Sequence, residues 1–162
     1  RSVTLKVGYY TTAQGSWLDK WIPSAYAAVS DLKLCISRAR LKKSESDSND
    51  NSSANVELNV DGITLSTSGG DIAILNVPEN TYRRIEFDLD NHCTNGKSVS
   101  FTNDSGTRST TSPLSLNFNG SYTVSEGNTT ITLNIQPFID ALNPLTADGD
   151  IKGSLQSQFG NF

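Results

Sequence analysis

The sequence has little charge and almost no histidine. Of its 162 residues only 19% are charged, and His92 is the single histidine. One histidine excludes metal sites that are built from several imidazoles. The net charge of −4 argues against a protein that binds a nucleic-acid backbone, which would need a basic patch. No apolar run approaches the roughly 20 residues that a helix needs to cross a bilayer.

Methionine is also absent, even from position 1, which is Arg1. The simplest interpretation is a mature or trimmed chain from which a signal segment is missing. The alternative is a cytosolic protein that has been shortened at its N-terminus. In the first case the missing segment could carry a lipid-attachment cysteine, and we expect a protein that works outside the cytoplasm.

Only two cysteines are present, Cys35 and Cys93. In an oxidising compartment such a pair usually forms a disulfide, and chains rich in Ser, Thr and Asn with few cysteines are typical of exported β-proteins. Closing a loop of about 58 residues would remove on the order of 4 kcal/mol of unfolded-state entropy. The alternative is two unrelated buried thiols. The spacing does not match a zinc site.

Polar uncharged residues fill the gap, because 22 Ser, 16 Thr and 15 Asn make up about a third of the chain. Between them, apolar residues recur with period two, the signature of strands with one polar face. Regular spacing of such strands predicts an all-β fold, a single antiparallel β-sandwich of the immunoglobulin-like or prealbumin-like kind. The predicted strands are 3–7, 31–37, 56–60, 63–65, 72–77, 85–89, 99–101, 114–118, 122–124 and 131–135.

Turn residues separate these strands. Asp61–Gly62 and Asn119–Gly120 each predict a hairpin turn, since both residue types accept positive φ. The segments 42–55 and 103–112 contain almost nothing apolar, so we expect solvated loops there. One short helix is predicted near Phe138, because Pro137 suits a first helical turn.

The whole chain, 1–162, is expected to form one domain with its core at about 29–142. The segment 1–28 contains Trp17, Trp21 and Tyr26 and is the aromatic N-terminal part. The tail 147–162 carries spaced apolar residues that could add a last strand or fray.

Three segments resemble a family of bacterial exported lipoproteins of unknown function. Residues 30–41 alternate Leu and Ile after an aromatic segment, and 80–89 (NTYRRIEFDL) is similar to the family pattern G-x-Y-x-x-I-R-L-x-L, with Asn80 in place of Gly. Residues 121–135 resemble its closing pattern f-x-V-x-x-G-x-T-x-L-x-L-d. The resemblance covers roughly 29–142 and implies a prealbumin-like sandwich of seven or more strands. It implies no catalytic residues, and 17–26 and 42–55 lie outside the shared pattern.

From these features we expect a non-enzymatic module for binding, adhesion or structure, located in a bacterial cell envelope, on the outer surface, or secreted. Its partner would be a cell-surface protein or a glycan. We expect no nucleic-acid partner and no transmembrane segment in this sequence. An alternative is a carbohydrate-binding module that uses Trp17 and Trp21, with Tyr26 beside them, because aromatic rings bind sugar faces. The same rings could instead close one end of the core.

No cofactor is expected, with one exception. Glu86, Asp88 and Asp90 lie two residues apart on one predicted strand, so their carboxylates share a face. Carboxylate oxygens are the ligands that Ca²⁺ prefers, which makes these residues a candidate metal site. The alternative is a solvated polar face whose acids pair with Lys33 or Arg38 across the sheet.

A hydrolase would need His92 as its general base, beside a hydroxyl and a carboxylate. The chain has no Gly-x-Ser-x-Gly motif to supply such a hydroxyl. Cys93, next to His92, is expected in a disulfide rather than as a nucleophile. The hydrolase therefore stays the less favoured alternative.

Overall fold

The computed structural model describes residues 2–8, 29–43, 55–66 and 70–161. Within these ranges the chain forms strands with two short α-helices and a 3₁₀ turn at 148–150. The helices are α1 (Gln136–Leu142) and α2 (Ile151–Gln156). The strands are β1 (Ser2–Gly8), β2 (Ser30–Lys42), β3 (Val56–Ser66), β4 (Gly70–Leu75), β5 (Asn80–Leu89), β6 (Val99–Asn103), β7 (Gly106–Thr110), β8 (Leu114–Val124), β9 (Asn128–Asn134) and β10 (Phe159–Asn161).

The strands form two sheets, which confirms the predicted all-β sandwich. The smaller sheet has the order β4-β1-β9, and the larger has the order β10-β8-β5-β2-β6-β7, with β3 also paired to β2. Most pairs are antiparallel, as expected. Two are parallel, β1 with β9 and β8 with β10.

Apolar side chains from the inner faces of both sheets form one continuous core. Three rings mark its centre, because Phe87 lies edge-on to Phe118 and Phe118 lies edge-on to Phe138, with centroid separations of 5.4 and 5.2 Å. Phe138 comes from α1, so the predicted short helix is confirmed, with Pro137 in its first turn. The helix covers one end of the core because Phe138, Ile139 and Leu142 are its buried residues.

Both predicted hairpin turns are wrong. β3 runs through Asp61–Gly62 and β8 runs through Asn119–Gly120 without reversing. In β3 three residues, 60–62, lie opposite Ser37 alone. In β8 two residues, 120 and 121, lie opposite Arg83 alone. The turn-forming residues therefore accommodate bulges, which need the same backbone freedom as turns but keep the strand on its course.

The strand β2 also carries a bulge, at Ser37, where its register to β5 shifts. Before it, Leu34 and Ile36 are buried in the core, and after it Ala39 and Leu41 are buried instead. One inserted residue therefore moves the inward set from even to odd positions. The outward set after the bulge is Arg38, Arg40 and Lys42.

Two segments contain more regular structure than the sequence predicts, namely the loop 103–112 and the tail, for which only a last strand or fraying is expected. The predicted loop 103–112 holds β7, which pairs with β6 around a turn at Asp104–Ser105. The tail 147–162 forms α2, whose Ile151 and Leu155 are buried, and then β10 beside β8. The apolar spacing of four residues in this tail is that of a helix. Of the predicted loop 42–55, the residues 44–54 lie outside the described part.

Replacing Gly120 by alanine is expected to destabilise the fold. A Cβ at this position would lie 3.0 Å from the Cζ and Oη atoms of Tyr122. Tyr122 is buried, and its hydroxyl donates a hydrogen bond to the carbonyl of Phe118 at 3.0 Å, so the ring has little room to move. We expect Gly120→Ala to lower the free energy of unfolding by about 1–3 kcal/mol in urea denaturation.

Gly153→Ala is the matched control, because Gly153 lies in α2 and nothing is within 4 Å of its added Cβ. This control should be neutral or stabilising by up to about 1 kcal/mol. Equal effects of the two substitutions would show that the ring of Tyr122 adapts to the extra methyl group.

Candidate functional site

Charged side chains face each other across β2 and β5 on the outer face of the larger sheet. The register places Arg38 opposite Asp88 and Arg40 opposite Glu86, whereas Lys42 lies opposite a like charge, Arg84. Lys42 and Arg84 both contact Glu86. Directly opposed side chains on one face of an antiparallel pair lie within interaction distance. The bulge at Ser37 sets this arrangement, because it turns the cations of β2 onto the face that carries the acids of β5.

Each of the two central carboxylates contacts two or more cations. Asp88 accepts from the Arg38 Nε at 2.7 Å and from the Arg40 Nη2 at 2.9 Å. Glu86 pairs with Arg40, and its Oε2 lies 3.1 Å from the Lys42 Nζ. A hydrogen bond from the Ser115 hydroxyl, at 2.7 Å, adds a third contact to Asp88. We call these five charged residues, at positions 38, 40, 42, 86 and 88, the charge ladder.

Three members of the ladder are buried rather than solvated, contrary to the expected polar face. Arg40 is 2% exposed, Lys42 1% and Glu86 5%. Charges at this depth are tolerated only when they are paired, because removing an ion from water costs several kcal/mol. The pairing of Arg38 with Asp88, one of the contacts foreseen for such a face, is present. Lys33 is exposed and lies outside this network.

A groove of about 510 Å³ lies at the solvent-facing end of the ladder. Its floor contains Arg40, Glu86 and Asp88. The remaining side chains around it come from the β2 bulge, the end of β5, the start of β8 and α2; they are Ser37, Arg38, Leu89, Asp90, Pro113, Leu114, Ser115 and Gln156. The groove is therefore assembled from three strands of the larger sheet, β2, β5 and β8, and the helix α2.

Asp90 lies at the rim of the groove, and its carboxyl group is ionised at neutral pH. Burial by itself raises the pKa of this carboxyl, but hydrogen bonds from the backbone N–H and side chain of His92 and from Ser37 outweigh it, so the pKa lies below its ordinary value. The Nδ1 atom of His92 is 2.7 Å from the Asp90 Oδ2. The rim therefore keeps an acceptor group at neutral pH.

The predicted disulfide is present beside the groove. Cys35 and Cys93 are bonded, with their Cα atoms 5.8 Å apart. Cys35 lies two positions before the bulge residue Ser37, and Cys93 three positions after Asp90. The bond therefore ties two sides of the groove together covalently.

The structure gives the calcium prediction no support. In the described part of the chain, no three His, Cys, Asp or Glu side chains are grouped so as to hold a metal ion. Glu86 and Asp88 direct their oxygens at cations of β2, and Asp90 directs its oxygens at His92. A cation would have to compete with the guanidinium and ammonium groups already bound there.

The surroundings of His92 do not complete a hydrolytic site. Its side chain is 74% exposed and pairs with Asp90 as a carboxylate–imidazole dyad. Among the described residues its hydrogen-bonding partner is Asp90, and none of the hydroxyls described forms a hydrogen bond with it. The aromatic candidates Trp17, Trp21 and Tyr26 lie outside the described residues.

No family model matches the chain, and neither a curated protein nor a solved structure does. The resemblance to exported lipoproteins therefore stays a prediction. No helix in the ranges that the structure describes has the length and apolarity to cross a membrane.

Sequence reasoning found the acids of the site but not most of their partners. Arg40, Lys42, Ser115 and Gln156 were not singled out. The apolar residues of β2 provide a signal for the first two. They alternate up to Ile36 and resume only at Ala39. This extra residue places Arg38, Arg40 and Lys42 together on the opposite face. Nothing local marks Ser115 or Gln156, because their position depends on how β8 and α2 pack.

Removing the charge of Glu86 is expected to cost much more than removing an exposed charge. Glu86→Gln keeps the side-chain shape but leaves Arg40 and Lys42 buried with one carboxylate fewer. We expect a loss of about 3 kcal/mol of folding free energy in chemical denaturation. The control Glu126→Gln changes an exposed acid with no ion pair in the described chain and should shift stability by less than about 0.5 kcal/mol. A loss as small as that of the control would contradict a desolvated ladder.

The contribution of Asp90 to stability should depend on pH. Because its folded pKa is lower than the ordinary value, the stabilisation is complete above about pH 4 and is lost as pH falls through the folded pKa. The difference in unfolding free energy between the parent and Asp90→Asn should therefore shrink as the pH falls below about 4. Urea denaturation at several pH values measures it, with the exposed Asp104→Asn as control. A difference that stays constant to the lowest pH would contradict this assignment.

Proposed function

We propose that this chain is a non-enzymatic module that works outside the cytoplasm, in a bacterial envelope or in the surrounding medium, and binds a cell-surface protein or a glycan. The observation that carries the proposal is the Cys35–Cys93 disulfide. Cytosolic thiols are kept reduced, so a disulfide of this kind is typical of exported proteins.

The position of the bond supports a structural rather than a redox role. Both cysteines are buried, Cys35 to 2% and Cys93 to 7% exposure, so neither sulfur is presented to a partner thiol. Exchange reactions need access to a sulfur atom, and buried structural disulfides resist them. A disulfide that stabilises the fold can do so only in a compartment where it stays oxidised.

The chemistry of the outer face supports binding rather than catalysis. The carboxylates that line the groove already contact arginine, histidine or serine. A general acid or base needs a proton that it can exchange with substrate, and residues locked in ion pairs suit fixed recognition better. The resemblance to exported lipoproteins points to the same compartment.

The carbohydrate-binding alternative through Trp17 and Trp21 rests on residues outside the described part. No contact among the described residues favours that particular site. A glycan remains one of the two partner classes in the proposal, whichever surface contacts it.

The test is to find the protein in its own cells and read the state of its cysteines. Source cells are fractionated in the presence of a membrane-permeant thiol-alkylating reagent at neutral pH. Each fraction is then denatured with more of the reagent, so that buried thiols also react, and is probed with an antibody against this chain. We expect it in the envelope fraction or the medium, with Cys35 and Cys93 unalkylated until a reductant is added.

Recovery from the cytosol with both cysteines alkylated would overturn the proposal. A Cys35→Ser, Cys93→Ser double variant is the control for the alkylation pattern. The purified double variant should lose on the order of 4 kcal/mol of stability if the bond acts by limiting the unfolded chain.

A further inference from the structure

We propose that the groove beside the charge ladder binds a small neutral ligand rich in hydroxyl groups, such as one or two sugar units at the end of a glycan. This inference rests on the proposed function and deepens it, because it selects the glycan from the two partner classes. It also places the contact on the outer face of the larger sheet rather than on the aromatic N-terminal segment.

The size and openness of the groove suit a short ligand. Its volume of about 510 Å³ falls within the range of small-molecule sites in proteins, roughly 300–1,000 Å³. It is open to solvent along one side, so a glycan end could enter while the rest of the chain stays outside. A deep enclosed cavity would instead favour a ligand that is buried whole.

The charges that line the groove give no excess of cations. Among the described lining residues, Arg38 and Arg40 face three carboxylates, those of Glu86, Asp88 and Asp90, and each carboxylate already contacts a cation of β2 or His92. An anionic ligand would meet this surplus of carboxylates, and a cationic ligand would have to displace a partner that is already in place. A neutral ligand avoids both costs.

The groups at the rim match hydroxyls. Ser37 and Ser115 donate their hydroxyl hydrogens to Asp88 and keep lone pairs that can accept from a sugar hydroxyl. Gln156 carries an amide that can both donate and accept. Arg38, whose side chain is 34% exposed, adds donors, and Asp90, whose side chain is 23% exposed, adds acceptors. A pair of neighbouring hydroxyls on a ring can bridge such a donor and acceptor.

The apolar content of the groove is too low for a hydrophobic ligand. Of the described residues that line it, only Leu89, Pro113 and Leu114 are apolar, and none is aromatic. Both leucines belong to the core, with 1% and 4% exposure, and offer little surface to a ligand. A flat aromatic or fatty molecule would leave the polar rim without partners.

The groove is also held in shape before any ligand arrives. The ion pairs of Asp88 fix Arg38 and Arg40, and the disulfide holds the Ser37 and Asp90 sides together. A preformed arrangement of donors and acceptors saves the ordering cost that a weak polar ligand could not offset.

The test is a titration of the isotope-labelled chain, followed by amide and side-chain NMR signals. The probes are D-glucose, D-galactose, D-mannose, N-acetylglucosamine and cellobiose. D-glucuronate and spermidine serve as the anionic and cationic comparisons, each to about 50 mM. We expect saturable shifts with at least one neutral sugar, centred on Ser37, Arg38, Asp90, Ser115 and Gln156, and weaker shifts with both ions.

Two substitutions on α2 separate the groove from general effects. Gln156→Leu removes the donor and the acceptor that this side chain presents to the groove and should weaken the response about tenfold. Lys152→Leu makes the same kind of change at an exposed position of the same helix that does not line the groove, and should leave the response unchanged. The thermal midpoints of both variants check that each is folded.

The inference is overturned if no neutral sugar gives saturable shifts in the groove, or if glucuronate or spermidine shifts these signals more strongly. It is equally overturned if sugar shifts appear only on signals of 1–28, or if Gln156→Leu leaves the groove shifts intact. The inference would also be overturned if a peptide or protein, and no sugar, shifted the groove signals. These results would leave the extracytoplasmic location standing, which only the cell fractionation can overturn.

Discussion

The sandwich depends on one strand, β2, which pairs with three others. β2 pairs with β3 along one edge, while β5 and β6 share its other edge, and the exchange between them occurs at Cys35. There the N–H of Cys35 donates to Ser98 and its carbonyl accepts from Asp90, so both halves of the larger sheet meet at one residue. On this edge no ladder runs past Cys35, because the pairing with β6 ends at Leu34 and the pairing with β5 begins at Ile36. The disulfide from Cys35 to Cys93 closes that point, and the groove is formed where it does so.

Local breaks in regular pairing produce the features that distinguish this sheet. The bulge at Ser37 turns three cations onto the acidic face of β5, and the bulge at Gly120–Ser121 accompanies the buried hydroxyl of Tyr122. A ladder without the first bulge would point Arg38 and Arg40 into the apolar core, where nothing could offset their desolvation. The bulge and the charge pattern of β2 therefore depend on each other, since the cations can be accommodated only if the bulge turns them away from the core.

The sequence predicts the architecture well where a signal is local. Period-two alternation located the strands, and Pro137 marked the helix that contains Phe138. The Asp61–Gly62 and Asn119–Gly120 pairs were misleading because a bulge and a hairpin turn need the same backbone freedom, and only the pairing partner decides between them. The residues of the site also divide into those that a local pattern reveals and those that it does not. The acids of β5 were visible in the sequence, whereas their burial against Arg40 and Lys42, and the approach of Gln156, depend on register and packing that no local pattern encodes.

The disulfide also has a mechanical consequence. Strands β3, β4 and β5 all lie between Cys35 and Cys93, which are 58 positions apart. A force that pulls on the two ends of the chain is carried across the sulfur–sulfur bond and cannot stretch the segment between them. At about 3.4 Å for each extended residue, roughly 200 Å of chain is withheld from extension. A module that holds a surface under load would thus lengthen far less than its residue count allows, and both the groove floor on β5 and the ladder would stay inside the protected loop.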